Sequence, residues 1–114
     1  MSSIFEFVKN GDFDGVKNLI ENGRDVNIKN KYGNTPLHIA CMYGYLDIVK
    51  FLIENGAYVN IHTEYGCTPL YEACYEGHLD IVKFLIENGA DINIQIKNYY
   101  IPLHNVCRNG YLDI

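Results

Sequence analysis

The sequence predicts an all-α repeat fold: a solenoid of stacked helix-turn-helix units joined by β-turn or hairpin loops. Three observations carry this. The stretch Thr35-Pro36-Leu37-His38-Ile39-Ala40-Cys41 returns as Thr68-Pro69-Leu70-Tyr71-Glu72-Ala73-Cys74 and as Ile101-Pro102-Leu103-His104-Asn105-Val106-Cys107, each time 33 residues on (68 − 35 and 101 − 68). The same offset links Gly44, Gly77 and Gly110; Asp47, Asp80 and Asp113; Asn22, Asn55 and Asn88; and Gly23, Gly56 and Gly89. Between these markers, apolar residues recur at helical spacing. A fixed period of roughly 20–50 residues marks a repeat architecture.

The first unit opens with two short helices within residues 3–22. Ile4, Phe7 and Val8 stripe the first, and Phe13, Val16, Leu19 and Ile20 the second. The Thr-Pro-Leu-His signature is missing here, as expected of a terminal unit that caps the stack. Ser2, Ser3, Glu6, Lys9 and Lys17 fit its outer face. The second helix stops at Asn22-Gly23, where a left-handed glycine satisfies the last carbonyls. β-prone pieces follow at Val26-Asn27-Ile28, Val59-Asn60-Ile61 and Ile92-Asn93-Ile94, with turns at Tyr32-Gly33 and Tyr65-Gly66.

Each turn feeds the repeated signature. Thr35 and Thr68 are good N-caps, and Pro36 and Pro69 take the first helical position, where a missing N–H costs nothing. Leu37, Ala40 and Cys41 face inward at i, i+3 and i+4. Gly44 ends that helix, and Asp47 stands near the positive start of the next. Ile48, Val49, Leu52 and Ile53 form the buried stripe there, with Lys50 and Glu54 toward water. One such pair cannot bury its stripe alone, so stability sums over units and interfaces.

Composition narrows the function classes. The 114 residues suffice for one core, and the formal net charge of −5 argues against a nucleic-acid binder, which needs a basic face. No run approaches the roughly 20 apolar residues that span a bilayer, and the start Met-Ser-Ser-Ile-Phe-Glu-Phe lacks a signal-peptide pattern. The cytoplasm is the default compartment, or a host cytoplasm or nucleus for an injected or viral protein. Cys41, Cys74 and Cys107 share one repeat position and read as buried reduced thiols, because stacked helices roughly 8–10 Å apart hold Cα atoms too far apart for a disulfide.

Gly33-x-Thr35-Pro36-Leu37-His38-x-Ala40, Gly44-x-Leu46-Asp47-Ile48-Val49 and Asn55-Gly56-Ala57-x-Val59-Asn60 together resemble the ankyrin repeat, whose period is also 33 residues. The resemblance covers almost the whole chain: a capping repeat over 1–29, repeats over 30–62 and 63–95, and an incomplete repeat over 96–114. It implies a β-turn and two antiparallel helices per unit, and a concave groove of turn tips and first helices that binds protein. It also places Asn60 and Asn93 at a position hydroxylated in some ankyrin domains. The last repeat departs from the pattern, with Tyr99 for the turn glycine and Ile101 for the capping threonine. The chain stops at Ile114, where a second helix should begin, as expected of a fragment of a longer array or of a chain whose end relies on another molecule.

No constellation points to catalysis or a cofactor. His38-x-x-Cys41 and His104-x-x-Cys107 lie two units apart, about 20 Å at normal helix spacing, too far to share a zinc ion. The repeat histidine is expected to bond its own turn. His62 and His78 have no second ligand nearby in sequence, and the Asp47 series consists of helix-start carboxylates on separate units. No phosphate loop or nucleophile elbow is present.

The variable positions carry the functional reading. In the resembling geometry, the partner-binding surface comprises Lys31, Tyr32, Asn34, Met42 and Tyr43; then Glu64, Tyr65, Cys67, Tyr75 and Glu76; then Lys97, Asn98, Tyr100, Arg108 and Asn109. Tyrosine rings there offer contact area at low entropic cost, and Cys67 is expected as an exposed thiol. The expected function is a non-catalytic protein-protein interaction module, a scaffold or adaptor binding a protein partner, with no nucleic acid and no membrane. The alternative is an assembly fragment that self-associates through its incomplete C-terminal end. An appendage of an enzyme missing from this chain comes third.

Overall fold

The computed structural model describes residues 3–96 and 99–102, with side chains through residue 92. Six helices pair into three units: α1 (Ile4–Lys9) with α2 (Phe13–Glu21), α3 (Pro36–Tyr43) with α4 (Leu46–Glu54), and α5 (Pro69–Tyr75) with α6 (Leu79–Glu87). The first helices stack as one layer, α1 on α3 on α5, and the second helices as another, α2 on α4 on α6.

Side-chain caps start four of the six described helices, while α4 and α6 have none. Ser3 and Asp12 accept from Glu6 N–H and Gly15 N–H at the heads of α1 and α2. Thr35 and Thr68 cap α3 and α5, each with proline next. At Thr35 the cap is reciprocal, because the His38 ring accepts the Thr35 backbone N–H in return. Gly44 closes α3 in the left-handed region, at φ 86°.

The core repeats with the period. Leu37, Ala40, Cys41, Ile48, Val49 and Leu52 are fully buried, and so are Leu70, Ala73, Cys74, Ile81, Val82 and Leu85 one unit later. Ile53 is half-buried against this core rather than inside it. The first unit trades volume between two positions. Phe7 stands where the second unit has Ala40, and Gly15 stands where it has Ile48. A Cβ on Gly15 would lie 2.7 Å from the Phe7 ring, so the ring fills the space that an isoleucine side chain fills elsewhere. Cys41, Cys67 and Cys74 are free thiols, and Cys41 and Cys74 are buried, as their shared position predicts; Cys107 lies outside the described residues.

Three sets of side chains tie one unit to the next. Asn27 donates to the Gly56 carbonyl at 3.1 Å and accepts from Tyr58 N–H at 3.0 Å. Asn60 repeats this with Gly89 at 3.0 Å and Asp91 at 2.7 Å. His38 reaches the Cys67 carbonyl at 2.9 Å. In the opposite direction, Tyr45 donates to the Lys9 carbonyl at 3.1 Å, and His78, one period on, bonds the Met42 carbonyl at 3.1 Å.

Two segments differ from the simplest reading of their composition. Val26-Asn27 and the matching Tyr58 to Asn60 stretch are turns and irregular loop, not strand. Asp25 accepts Asn27 N–H at 2.9 Å, which bends the chain, and the Asn27 side chain then supplies the partners that a neighbouring strand would supply. At the far end, β1 (Asn93–Ile96) pairs antiparallel with β2 (Tyr99–Pro102), Ile94 opposite Ile101. Ile101-Pro102 is therefore extended where Thr35-Pro36 and Thr68-Pro69 begin helices. Isoleucine has no capping hydroxyl, and Tyr99-Tyr100-Ile101 is a β-prone run.

Candidate functional site

The loops between units form two projecting tips built on the same plan. In the first, Asn30 N–H donates to the Asn34 carbonyl at 2.9 Å, and the Asn30 side chain accepts from Tyr32 and Asn34 N–H at 2.9 and 3.0 Å. In the second, Thr63 N–H donates to the Cys67 carbonyl at 3.0 Å, and the Thr63 hydroxyl accepts from Cys67 N–H at 3.2 Å. Gly33 and Gly66 turn the chain between these contacts. With the backbone held from inside, the intervening side chains point outward: Lys31, Tyr32, Glu64 and Tyr65 are exposed.

Between the two tips lies an open cavity of about 280 Å³ lined by Lys31, Tyr32, Asn34, Thr63, Glu64, Tyr65, Cys67 and Glu72. Six of these were expected on the partner-binding surface. Tyr75 and Glu76 are exposed near the end of α5, and Met42 and Tyr43 sit half-buried and exposed near the end of α3, outside this cavity. Lys97, Asn98, Arg108, Asn109 and the Tyr100 side chain lie outside the described residues, as do His104, the Asn93 side chain and the end at Tyr111 to Ile114.

Cys67 corrects one expectation. It is half-buried rather than exposed, because the tip folds it back against Thr63. Burial raises its thiol pKa, the Thr63 hydrogen bond opposes this, and Glu72 adds to the rise. A thiol so placed stays protonated and is a weak nucleophile.

Sequence reasoning missed Thr63 and Glu72. Thr63 holds the repeat position of Asn30, and that correspondence could have revealed it as a tip-forming residue. Glu72 hides inside the signature, at the place of Ile39. Burial, followed by repulsion from Glu76, pushes its carboxyl up to about 7. Burial also raises the Tyr71 phenol, with Cys67, Glu72 and Tyr75 adding to the effect.

Rings dominate the exposed face beside the cavity. Tyr32, Tyr65 and Tyr75 are 66, 53 and 62 % exposed, high values for large rings. Tyr71 stacks on Tyr75 with centroids 5.9 Å apart, and the Lys31 ammonium lies 5.1 Å from the Tyr32 ring centre. A second cavity of about 530 Å³ is lined by Lys29, Tyr58 to Ile61 and His62. Its amide and imidazole are already engaged: Asn60 ties down the next loop, and His62 donates to the Thr63 carbonyl at 3.0 Å.

Metal chemistry finds no foothold among the described residues. His38 uses both ring nitrogens in hydrogen bonds, to Thr35 and Cys67, and Cys41 is buried with its thiol pKa raised well above normal by burial. No group of three His, Cys, Asp or Glu is close enough to hold an ion, and no helix is long and apolar enough to cross a membrane, both among the described residues. The tips offer aromatic faces, carboxyls and an ammonium.

Comparison with known proteins agrees with this geometry. Residues 4–96 match the family model described as ankyrin repeats in three copies. Over 48 residues the chain is 42 % identical to protein phosphatase 1 regulatory subunit 27 of Homo sapiens, and equally to its Mus musculus counterpart. That stretch is 42 % of this chain and 31 % of each relative, so the chain spans about a third of their length. The matched length is about one and a half periods, which is the reach of a shared repeat pattern. The three-unit stack, its threonine-proline caps and the family match over residues 4–96 lead to one assignment: this chain belongs to the ankyrin repeat family.

Proposed function

We propose that the chain is a non-catalytic protein-interaction module that holds a segment of a partner protein on its concave face, across the turn tips and the first helices. The observation that supports this reading is the convergence of Lys31, Tyr32, Asn34, Glu64, Tyr65 and Cys67, from two successive units, on one cavity beside exposed rings. Ankyrin repeats are generally protein-interaction modules, and the relatives bear the name of a regulatory subunit. Buried free thiols at Cys41 and Cys74 suit a reducing compartment such as the cytoplasm. The test is quantitative partner capture with wild type against a Tyr32→Ala, Tyr65→Ala, Tyr75→Ala triple variant. Partners bound through this face are depleted in the triple variant. Equal recovery of every partner removes the face from consideration.

A second reading, self-association at the C-terminal end, draws on Leu79, Ile86 and Ile92, which are 37, 38 and 46 % exposed. Their counterparts one unit earlier, Leu46, Ile53 and Val59, are half-buried. Sedimentation over a range of concentrations decides it, and a monomer throughout rejects it.

A further inference from the structure

We infer that the cavity between the two tips receives a cationic side chain, a lysine or arginine, presented by the partner segment. This rests on the concave-face reading and adds the chemistry of what enters. Glu72 lines the cavity from α5, behind the tips, and its carboxyl makes no ion pair or hydrogen bond with the described residues. Glu64 lines the same space, and Glu76 lies one helical turn along α5 from Glu72. The lysine that lines the cavity, Lys31, holds its ammonium over the Tyr32 ring, so that ring face already accommodates a cation.

Three kinds of entering side chain can be compared. An acidic one meets Glu64 and Glu72 at close range and is repelled. An apolar one displaces water from the Glu72 carboxyl and leaves it buried without a partner, which is costly. A cationic one supplies the missing counter-charge while its alkyl stem lies against the tyrosine rings. The upward shift of the Glu72 carboxyl, caused by burial and Glu76 with no cation offsetting it, agrees with this comparison.

The experiment is a ¹H–¹⁵N NMR titration of the chain with three capped pentapeptides, glycine throughout except for a central arginine, norleucine or glutamate. At up to about 10 mM peptide, the arginine form is expected to shift the Thr63, Cys67 and Glu72 amides, with the other two much weaker. Glu72→Gln should weaken that response about tenfold. Glu54→Gln, which removes an exposed charge that does not line the cavity, should leave it unchanged. Saturation with the arginine peptide should also lower the Glu72 carboxyl titration, followed by ¹³C, from its position about 7. An equal response to norleucine or glutamate overturns the cation assignment and leaves the concave-face reading standing. Silence at these three amides toward arginine overturns it as well, and the tyrosine-variant capture then judges the face separately.

Discussion

The His38 ring donates from Nε2 to the Cys67 carbonyl at 2.9 Å, joining the second unit to the tip of the third. Its Nδ1 accepts from the Thr35 backbone N–H at 3.1 Å, so the neutral Nε2–H tautomer is the one that fits both partners. Protonating Nδ1 would forfeit the Thr35 bond inside a buried site.

The stability that His38 contributes should therefore fall on mild acidification. Burial lowers the folded-state pKa of His38 below 6.5, with backbone Cys67 opposing and Lys29 and His62 adding to the effect. The unfolded chain then binds more protons below that value, so the contribution is full above pH about 6.5 and lost as pH falls through the lower folded pKa. The wild-type advantage in urea midpoint over His38→Gln should shrink as pH falls through that window. At neutral pH, His38→Ala should cost about 2–4 kcal/mol by stranding Thr35 N–H and opening a void.

Glu72 should show the opposite sign. Its folded pKa of about 7 lies above the ordinary glutamate value of 4.5, so the protonated form is favoured on folding. That contribution is complete below pH about 4.5 and disappears as pH rises through 7. Glu72→Gln should thus gain on wild type as pH rises through this window, by about 1 kcal/mol once solvent screening of the partly exposed carboxyl is allowed for. Chemical denaturation at pH 5 and pH 8 measures the difference, and equal gains at both remove the ionisation explanation.

Two glycines with similar backbone angles should respond differently to alanine. Gly44 and Gly56 have φ of 86° and 97°, and each pays the left-handed cost of about 1–2 kcal/mol on substitution. A Cβ on Gly56 meets nothing within 4 Å, whereas one on Gly44 lies 2.6 Å from the His78 ring. Gly44→Ala should therefore lose about 1–3 kcal/mol more than Gly56→Ala in thermal or urea unfolding.

The asparagine ties can be separated into donor and acceptor. Asn27→Ala removes both bonds to the next unit and should cost about 1–2 kcal/mol, moderated because the freed backbone groups reach water. Asn27→Asp keeps an acceptor for Tyr58 N–H but loses the donor to Gly56, and should recover only part of that loss. Hydrogen exchange at the Tyr58 amide distinguishes the two variants.

The stack and its caps were legible in the sequence because they are local and periodic. Thr35, Pro36, Leu37 and Gly44 each state their role within one helix, and the period repeats the statement. The tips were legible too, since Lys31, Tyr32, Glu64 and Tyr65 occupy positions the repeat leaves variable. The ties between units were not. Asn27 bonds partners 29 and 31 residues away, and Tyr45 a partner 36 residues away, so no window of one helix contains both ends. Asn27 between Val26 and Ile28 reads as a polar break in a β-prone piece until its partner is seen. Glu72 escaped because it stands at a position inside the motif that the first-helix pattern assigns to Ile39.

The asparagine ties also bear on how such a chain can change length. Asn27 grips residues 56 and 58, and Asn60 grips residues 89 and 91, so both pairs sit at equivalent places one period apart. Excising residues 30–62 would bring the loop at Gly89 and Asp91 to the position where Asn27 now finds Gly56 and Tyr58. The orphaned asparagine and the orphaned loop would fit each other. A deletion one residue longer or shorter would mismatch the tie and turn the helix faces away from the core. Duplication or loss of whole units is thus the inexpensive genetic step for this array.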